Sequence, residues 1–213
     1  HRLDVRLDIV PDSGGMRRTI TLTGTGGWAE RIQQARALSD LLDHAGWGNA
    51  RRDLVQGDAS SRLYERLVLP GKSAILMISP TPKHGPIIRA GKTYRTLARL
   101  VDDVSAFVAL AKGLRTFGVS APEIYAANIQ DGLVLMEDLG SDGFVDHNGP
   151  IRERYLEAVR LLAEMHGQEL PRALPVVEGQ YYTIPTYDLE PLMVEIELFL
   201  DWYVPSRTGK PLS

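Results

Sequence analysis

The sequence contains no cysteine, and this absence removes two classes of site at once. Without thiols the chain forms neither disulfide bonds nor thiolate-ligated metal centres, which is compatible with a reducing compartment such as the cytoplasm. It also lacks any run approaching the roughly 18 apolar residues of a transmembrane helix, so we expect no membrane contact. A net charge of −3 provides no basic field, so we expect no direct nucleic-acid binding.

The rest of the composition is that of an ordinary globular protein. Hydrophobic residues make up 44% and charged residues 24% of the 213-residue chain, enough for one large domain or two small ones. The chain begins at His1 in the middle of an alternating pattern and stops at Ser213 without a recognisable final element. We therefore expect it to be a fragment of a longer protein.

Hydrophobic periodicity predicts both strands and helices. Apolar and charged residues alternate through residues 1–27 on either side of a Pro/Gly turn, which is typical of a β-hairpin. Further strand pairs are predicted within Gly57–Ser79 and around Gly132, and a proline-containing loop is predicted before the last helix. Apolar residues at helical spacing predict helices over Ala29–Ala45, Tyr94–Gly118, Ile151–Gly167 and Leu189–Tyr203.

The helix over Ile151–Gly167 has a strong amphipathic pattern. We predict that its apolar face is buried. The residues of that face are Leu156, Val159, Leu162, Ala163 and Met165.

The stretch Gly57–Arg62 combines features of a phosphate-binding loop. Gly57 can adopt backbone angles closed to other residues, and Asp58, Ser60 and Ser61 supply short polar groups and N–H donors that suit phosphate oxygens. Arg62 would add a bidentate phosphate contact. Taken alone, the stretch is also compatible with an ordinary polar turn.

Residues 133–140, LVLMEDLG, form an apolar run that becomes acidic and ends at glycine. A strand that leaves a core in this way exposes backbone N–H and C=O groups, and these groups can pair with the edge of an adenine ring. The alternative is a simple exit from strand to turn, with Asp138 as a cap.

A second glycine-containing stretch, GPIIRAGKT, resembles the phosphate loop G-x-x-x-x-G-K-[ST] but does not match it. Five residues separate Gly85 from Gly91, and Pro86 occupies a place that the loop needs for glycine. We expect Lys92 and Thr93 to lie in a solvated loop or at the start of a helix.

Two polar residues on predicted helices have ordinary explanations. His166 ends the helix LLAEMH, and we expect it to cap that helix or lie in the core. Asp201, in LDWY, is expected to be solvated or near a substrate rather than to bind a metal.

Several segments, taken in order, resemble the aminoglycoside phosphotransferase superfamily. They are GDASSRLYERL, AILMISP, APEIYAANIQDGLVLMEDLG, RYLEAVRLLAEMH and IPTYDLEPLMVEIELFLDWYVP, and the likeness covers about residues 33–213. Within the superfamily the chain most resembles the bacterial kinases that phosphorylate the anomeric hydroxyl of N-acetylmuramate and N-acetylglucosamine. The resemblance implies an α+β, protein-kinase-like fold, with an N-lobe over 33–140 and the start of a helical C-lobe over 141–213.

The resemblance also implies a chemistry. ATP and Mg²⁺ are the expected cofactors, and a small-molecule sugar is the expected substrate, in the cytoplasmic recycling of cell-wall material. It implies that the ATP phosphates are bound by Gly57, Asp58, Ser60, Ser61 and Arg62, and that Met77 stands where a protein kinase has lysine. Adenine would contact the Glu137 carbonyl and the Leu139 N–H. Glu195 would accept a hydrogen bond from a sugar hydroxyl. Methionine is common at that strand position in the subgroup, which leaves open what neutralises the phosphates in place of lysine. If Arg62 does not, Lys83 and Lys92 are the next candidates.

Residues 1–32 are similar to a different protein, the C-terminal end of the TsaE-type ATPase of bacterial tRNA threonylcarbamoyladenosine synthesis. Some bacterial proteins fuse that ATPase to such a kinase. The resemblance implies that the predicted hairpin is a remnant of a separate domain, whose own phosphate loop would precede His1.

The sequence offers no catalytic loop of the kinase-like type. Such enzymes use H-x-D-x-x-x-x-N, and none of the five histidines begins His-x-Asp. We therefore expect no catalytic residue in this fragment, magnesium ligands beyond Ser213, and no activity of the fragment by itself. A non-catalytic nucleotide-binding module and a protein dominated by the tRNA-modification ATPase remain alternatives, and the acceptor could also be an aminoglycoside or a choline-like molecule.

Overall fold

The structure, a computed structural model, describes residues 2–9, 18–25, 27–55, 62–79, 85–101 and 103–210, with side chains from Arg31 onward. Its strands are β1 (Arg2–Ile9), β2 (Arg18–Thr25), β3 (Arg51–Val55), β4 (Leu63–Leu69), β5 (Lys72–Ile78), β6 (Ile87–Arg89), β7 (Lys92–Thr93), β8 (Ile124–Asn128), β9 (Leu133–Glu137), β10 (Val145–Asp146), β11 (Gly149–Pro150), β12 (Ala173–Val177) and β13 (Gln180–Thr183). Its helices are α1 (Gly27–His44), α2 (Tyr94–Leu97), α3 (Ser105–Thr116), α4 (Arg152–His166), α5 (Leu189–Leu198) and α6 (Val204–Thr208), with a π-helical segment (Phe199–Tyr203) between α5 and α6.

A five-stranded antiparallel sheet organises the fold, in the order β3-β4-β5-β9-β8. Strand β9 lies between β5 and β8, although more than fifty residues of chain separate it from β5. The register places Leu76 opposite Leu135 and Met77 opposite Val134. The mixture of helices with an antiparallel sheet agrees with the predicted α+β class.

The side chains of the sheet alternate between two apolar clusters, because successive residues of a strand point to opposite faces. On one face, Leu67, Leu76 and Leu135 share a cluster with Leu38 and Leu42 of α1. The opposite face carries a second cluster, which the sheet shares with α3 and β12. Its buried members are Met77, Val104, Val108, Ala109, Val134, Met136, Leu174 and Val176.

The turn between β8 and β9 requires glycine. Gly132 has φ +67°, and a Cβ atom at this position would lie 2.0 Å from the carbonyl oxygen of Ser79. The Ser79 N–H also donates a 2.8 Å hydrogen bond to the Gly132 carbonyl. The turn is therefore held directly against the end of β5.

Several predicted elements are confirmed. Strands β1 and β2 pair as an antiparallel hairpin and form a sheet of their own. Strands β4 and β5 occur within the Gly57–Ser79 stretch, and β8 and β9 flank Gly132. Helix α1 lies within two residues of its predicted bounds, and α5 begins at Leu189, where the Asp188 side chain accepts a hydrogen bond from the Glu190 N–H.

The predicted helix over Tyr94–Gly118 is wrong as a single element. The structure divides it into α2 and α3, and Arg99 between them has φ +53°. The Asp103 carboxylate accepts a 2.7 Å hydrogen bond from the Ser105 N–H, so it starts a new helix rather than continuing the first.

The predicted loop before the last helix is also corrected, because β12 and β13 form a hairpin there. Leu174 and Val176 of β12 are buried, and Pro175 stands at an irregularity in the strand register, a position that tolerates proline. The sequence interpretation missed this hairpin, as it missed β3.

The predicted burial of the α4 apolar face is wrong for the described structure. Helix α4 has no buried residue, and Leu156, Val159 and Leu162 are 42%, 62% and 53% exposed. The helix itself is confirmed, and only its packing differs from the prediction.

None of the helices in the described ranges is both long enough and apolar enough to cross a membrane.

Candidate functional site

The candidate adenine-binding segment follows directly from β9. Leu133, Val134 and Leu135 are fully buried between β5 and β8, so the strand is fixed on both sides before it reaches Glu137. The Glu137 N–H donates a 2.8 Å hydrogen bond to the Glu123 carbonyl. We name residues 137–140 the hinge segment, since the chain leaves the sheet there.

Leu139, whose N–H is the predicted adenine donor, lies at the surface. Its side chain is 58% exposed, and Gly140 beside it has φ +83°. No residue in the described ranges forms a hydrogen bond with the Leu139 N–H. The adenine contacts of Leu139 and of the Glu137 carbonyl remain predictions.

Asp138 anchors the hinge segment to the sheet. The Arg66 Nε and Nη2 atoms of β4 donate to the two Asp138 carboxylate oxygens at 2.8 and 3.2 Å. The Gly140 N–H donates to the same carboxylate at 3.0 Å, so one side chain ties together a strand and a turn. The Asp138 side chain is 7% exposed and the Arg66 side chain 33% exposed, so this charge-assisted pair is partly buried.

The surroundings of Asp138 favour its charged form. Burial by itself raises the pKa of this carboxyl, but hydrogen bonds from Arg66, the Gly140 N–H and Ser73 together outweigh burial and hold the pKa below the usual 3.8. Asp138 is therefore an anion at neutral pH, and its charge is matched by Arg66.

The predicted phosphate loop falls mostly outside the described residues, which exclude Gly57, Asp58, Ser60 and Ser61. Arg62 is described and lies half-buried immediately before β4. The loop and the phosphate contact of Arg62 remain predictions.

Met77 lies in the core. It is fully buried on β5 and belongs to the same apolar cluster as Val108 of α3 and Val176 of β12. A thioether suits this environment, because it fills apolar gaps and carries no charge that burial would penalise. Its proposed proximity to a nucleotide remains a prediction.

Glu195 of α5 accepts a 2.7 Å hydrogen bond from the Tyr94 hydroxyl. This bond, with burial and the nearby negative charge, raises the pKa of Tyr94 to about 12. Within the described part of the chain, no hydrogen bond or ion pair joins Glu195 to the hinge segment. The sugar contact of Glu195 remains a prediction.

The GPIIRAGKT stretch forms no phosphate loop. Residues 87–93 make the β6–β7 hairpin, which turns at Ala90 and Gly91. Thr93 is the N-cap of α2, as expected for a helix start, and the Lys92 ammonium pairs with the Glu190 carboxylate at 2.7 Å.

His166 and Asp201 are both exposed. His166 is the last residue of α4, so its predicted place at a helix end is confirmed, whereas the alternative of a core position is wrong. Asp201 lies in the π-helical segment and is exposed to solvent, in agreement with the first of its two predicted positions.

Three cavities formed by described residues have volumes of about 430, 490 and 700 Å³, and none is lined by Met77, Glu137 or Leu139. Within the described ranges, no group of three or more His, Cys, Asp and Glu side chains is placed to hold a metal. Among the predicted site residues, the structure thus describes the hinge segment together with its Arg66–Asp138 anchor.

Sequence interpretation missed the partners of two polar groups. Asp138 was weighed as a cap, which the Gly140 bond supports, but nothing local indicates that Arg66, 72 residues earlier, completes the site. Tyr94 and Glu195 are 101 residues apart, and no motif links them. Only the tertiary fold brings these pairs together.

The chain is similar to curated amino-sugar kinases, although no protein-family model matches it. The N-acetylmuramate/N-acetylglucosamine kinase of Caulobacter vibrioides is 34% identical over 182 residues, which cover 80% of this chain and 50% of that protein. The proteins of the same name from Pseudomonas aeruginosa and Pseudomonas putida are each 28% identical, covering 82% and 81% of this chain and 45% and 44% of those relatives. The chain thus spans about half the length of the curated relatives it matches. The predicted resemblance to amino-sugar kinases is confirmed, while these relatives give no support to the tRNA-modification resemblance of residues 1–32.

Proposed function

We propose that the chain is the nucleotide-binding part of an ATP-dependent kinase that phosphorylates the anomeric hydroxyl of N-acetylmuramate or N-acetylglucosamine. The observation that carries this proposal is the 34% identity over 182 residues to a relative named for these two sugars. We also propose that the reaction occurs in the cytoplasm, where ATP is available, and that it serves the recycling of cell-wall material.

Different segments around the sheet would bind different parts of ATP. The hinge segment would receive adenine through the Glu137 carbonyl and the Leu139 N–H, at the end of a strand held on both sides. The Gly57–Arg62 loop, leading into β4, would cover the phosphates. Such a kinase works mainly by positioning and by neutralising charge, so a rigid hinge is useful to it.

Magnesium would accompany ATP in this reaction. The described residues contain no cluster of His, Cys, Asp and Glu side chains that could hold it.

We further propose that residues 33–140 form a kinase-like N-lobe, that 141–213 begin a C-lobe, and that the part of 1–32 that precedes α1 belongs to neither. The β1–β2 hairpin supports the last point because it forms a sheet separate from the five-stranded one. A chain that begins at Trp28 should keep the thermal midpoint of the full chain. A large decrease would show that the hairpin is part of the kinase-like core.

One observation favours a second candidate, a nucleotide-binding module without catalysis. Met77, at the strand position where protein kinases have lysine, is buried among apolar residues and leaves the phosphates without that cation. Either function requires ATP binding, so the two differ only in phosphoryl transfer.

Calorimetric titration with ATP and with adenosine tests nucleotide binding. Arg62→Ala should weaken ATP binding roughly 10- to 150-fold, the value of one charge-assisted hydrogen bond, and leave adenosine binding unchanged. Arg160→Ala, an exposed arginine on α4, is the matched control. Equal binding of ATP by the Arg62 variant and the unaltered chain would contradict the loop assignment.

Transfer itself is tested on the longest reading frame that contains this chain, with the sugar phosphate detected by mass spectrometry. The 213-residue chain alone should form none, because it contains no His-x-Asp sequence. If the 213-residue chain forms sugar phosphate above the protein-free background, that expectation is wrong. If the protein from the longer reading frame binds ATP but forms no sugar phosphate, the non-catalytic module is favoured.

A further inference from the structure

A cavity of about 430 Å³ lies between the β6–β7 hairpin and the stretch formed by α5 and the π-helical segment. Its size is in the usual range for sites that take a small molecule, roughly 300–1,000 Å³. Ile88 and Arg89 line it from β6, and Glu197, Asp201 and Trp202 line it from the helical side. We name it the β6–α5 cavity.

One wall of the cavity is apolar and accessible. Trp202 is 74% exposed and Ile88 is 51% exposed. An indole exposed to this degree beside a cavity offers a flat surface on which a ligand can pack. Trp202 and Asp201 both lie in the π-helical segment, an uncommon geometry that occurs frequently at functional sites.

The other wall supplies charged groups. Arg89 and Glu197 form an ion pair, and both side chains are partly exposed. Among the described residues, the Asp201 carboxylate forms no hydrogen bond or ion pair, so it is open to a donor from outside the chain. Cavity, aromatic surface and carboxylates thus occur together.

We infer that the β6–α5 cavity binds the amino-sugar acceptor, an inference that rests on the proposed function. A pyranose ring carries C–H groups on its faces and hydroxyl groups around its edge. The faces suit Trp202 and Ile88, and the hydroxyls suit carboxylate acceptors such as Asp201 and Glu197. The tyrosine–carboxylate pair of Tyr94 and Glu195 adjoins this cavity through Tyr94, which also lines it.

Arg89 would select between the two sugars. N-acetylmuramate differs from N-acetylglucosamine by a lactyl ether that carries a carboxylate. A guanidinium has five N–H donors, so Arg89 can keep its pair with Glu197 and still bind a second carboxylate. Arg89 therefore gives N-acetylmuramate one contact that N-acetylglucosamine lacks.

The test uses the 213-residue chain in separate calorimetric titrations with N-acetylmuramate, N-acetylglucosamine and ATP, with tryptophan fluorescence as a second readout. We expect both sugars to bind, the acidic one more tightly. Trp202→Leu should weaken both about fivefold and remove the fluorescence change. Arg89→Gln should weaken N-acetylmuramate about tenfold and leave N-acetylglucosamine unchanged.

Matched controls use exposed residues outside the cavity. Tyr181→Leu, at a side chain 69% exposed on β13, and Arg160→Gln on α4 should leave both sugar affinities unchanged. Circular dichroism verifies that each variant is folded. If Trp202→Leu does not fold, Asp201→Asn takes its place, with the same expected loss for both sugars.

Absence of sugar binding by the folded chain, or sugar binding that neither Trp202→Leu nor Asp201→Asn weakens, would overturn the assignment of the cavity. If Arg89→Gln weakens the binding of both sugars equally, the proposed role of Arg89 in selecting between them is overturned. ATP binding without sugar binding would overturn this site and leave the proposed function standing. Sugar binding without ATP binding would support the site and count against the kinase.

Discussion

Helices α3 and α4 are both amphipathic, yet their apolar faces have opposite surroundings. Five residues of α3 are buried, whereas α4 has no buried residue. Helix α3 shares one apolar cluster with the sheet and β12, and its Lys112 ammonium donates a 2.6 Å hydrogen bond to the Val176 carbonyl. Among the described residues, no comparable layer covers α4.

The difference shows what a helical pattern can and cannot predict. Periodicity states which face of a helix can be buried, but a second element must supply the surface that buries it. Small residues also matter on α3: a Cβ atom on Gly113 would lie 2.9 Å from the Leu174 methyl carbons, so glycine lets the β12 hairpin approach closely. Helix α4 has the amphipathic pattern, but no element in the described ranges buries its apolar face.

The strongest test of this comparison places the same change on both helices. Val108→Asp buries a carboxylate in a fully enclosed position on α3, and we expect a loss of about 4 kcal/mol in the free energy of unfolding, or no folded protein. Val159→Asp, at a side chain 62% exposed on α4, should stay within about 0.5 kcal/mol of the original. Urea unfolding followed by circular dichroism measures both. A large loss from Val159→Asp would mean that the α4 face is covered in solution.

A smaller effect is expected from ion pairs in the same two regions. Asp138→Asn breaks the Arg66 pair beside the sheet and should cost about 2 kcal/mol at neutral pH. Glu157→Gln breaks the exposed Arg160 pair on α4 and should cost less than about 0.5 kcal/mol. Urea unfolding at neutral pH compares the two variants with the original chain.

The Asp138 pair also predicts a pH dependence. Because folding lowers the pKa of Asp138, its stabilisation is complete above the usual value of 3.8 and is lost as the pH falls through the lower folded value. The difference in unfolding free energy between the original and Asp138→Asn should therefore shrink as the solution is acidified below about pH 4. A difference that stays constant across this range would contradict the lowered pKa.

The smallest expected effect concerns Tyr94, which links the β7–α2 region to α5. Its pKa of about 12 should appear as a late step in an ultraviolet titration, a step that Tyr94→Phe removes. In Glu195→Gln the phenol loses its charged acceptor, so the pKa should fall toward the usual 10.0. Since the neutral phenol is favoured on folding, its stabilisation is present below pH 10 and is lost toward pH 12. An unchanged titration in Glu195→Gln would exclude the bond as the main cause.

Local sequence patterns were sufficient to predict the strands that flank tight turns. Gly71 and Gly132 lie in turns, and the strands beside them either alternate apolar and polar residues or are continuously apolar. The strand pairs β4–β5 and β8–β9 are both confirmed. The break between α2 and α3 was not predicted, because the apolar spacing continues through it while Asp103 starts a new helix. Burial of α4 was wrong for a different reason, since it depended on a partner that the pattern cannot supply.

The candidate site also has one part that could be predicted from local sequence and other parts that could not. The hinge segment could be located because a buried strand ends at a short acidic and glycine-bounded run. Its anchor could not be predicted, since Arg66 reaches Asp138 only when β4, β5 and β9 are aligned. The β6–α5 cavity likewise depends on two segments more than one hundred residues apart in the chain.

The central place of β9 in the sheet has a consequence for the rate of folding. Strands β4 and β5 meet through a tight turn at Gly71, but β9 reaches β5 only after the chain between Ser79 and Gly132 has closed on itself. Closure of a long segment carries an entropy cost that the tight turn avoids, so we expect the β3–β4–β5 meander to form first and β9 to complete the sheet in the slow step. Truncation of Leu135 to alanine should then slow refolding in stopped-flow experiments, and an unchanged rate would contradict this order.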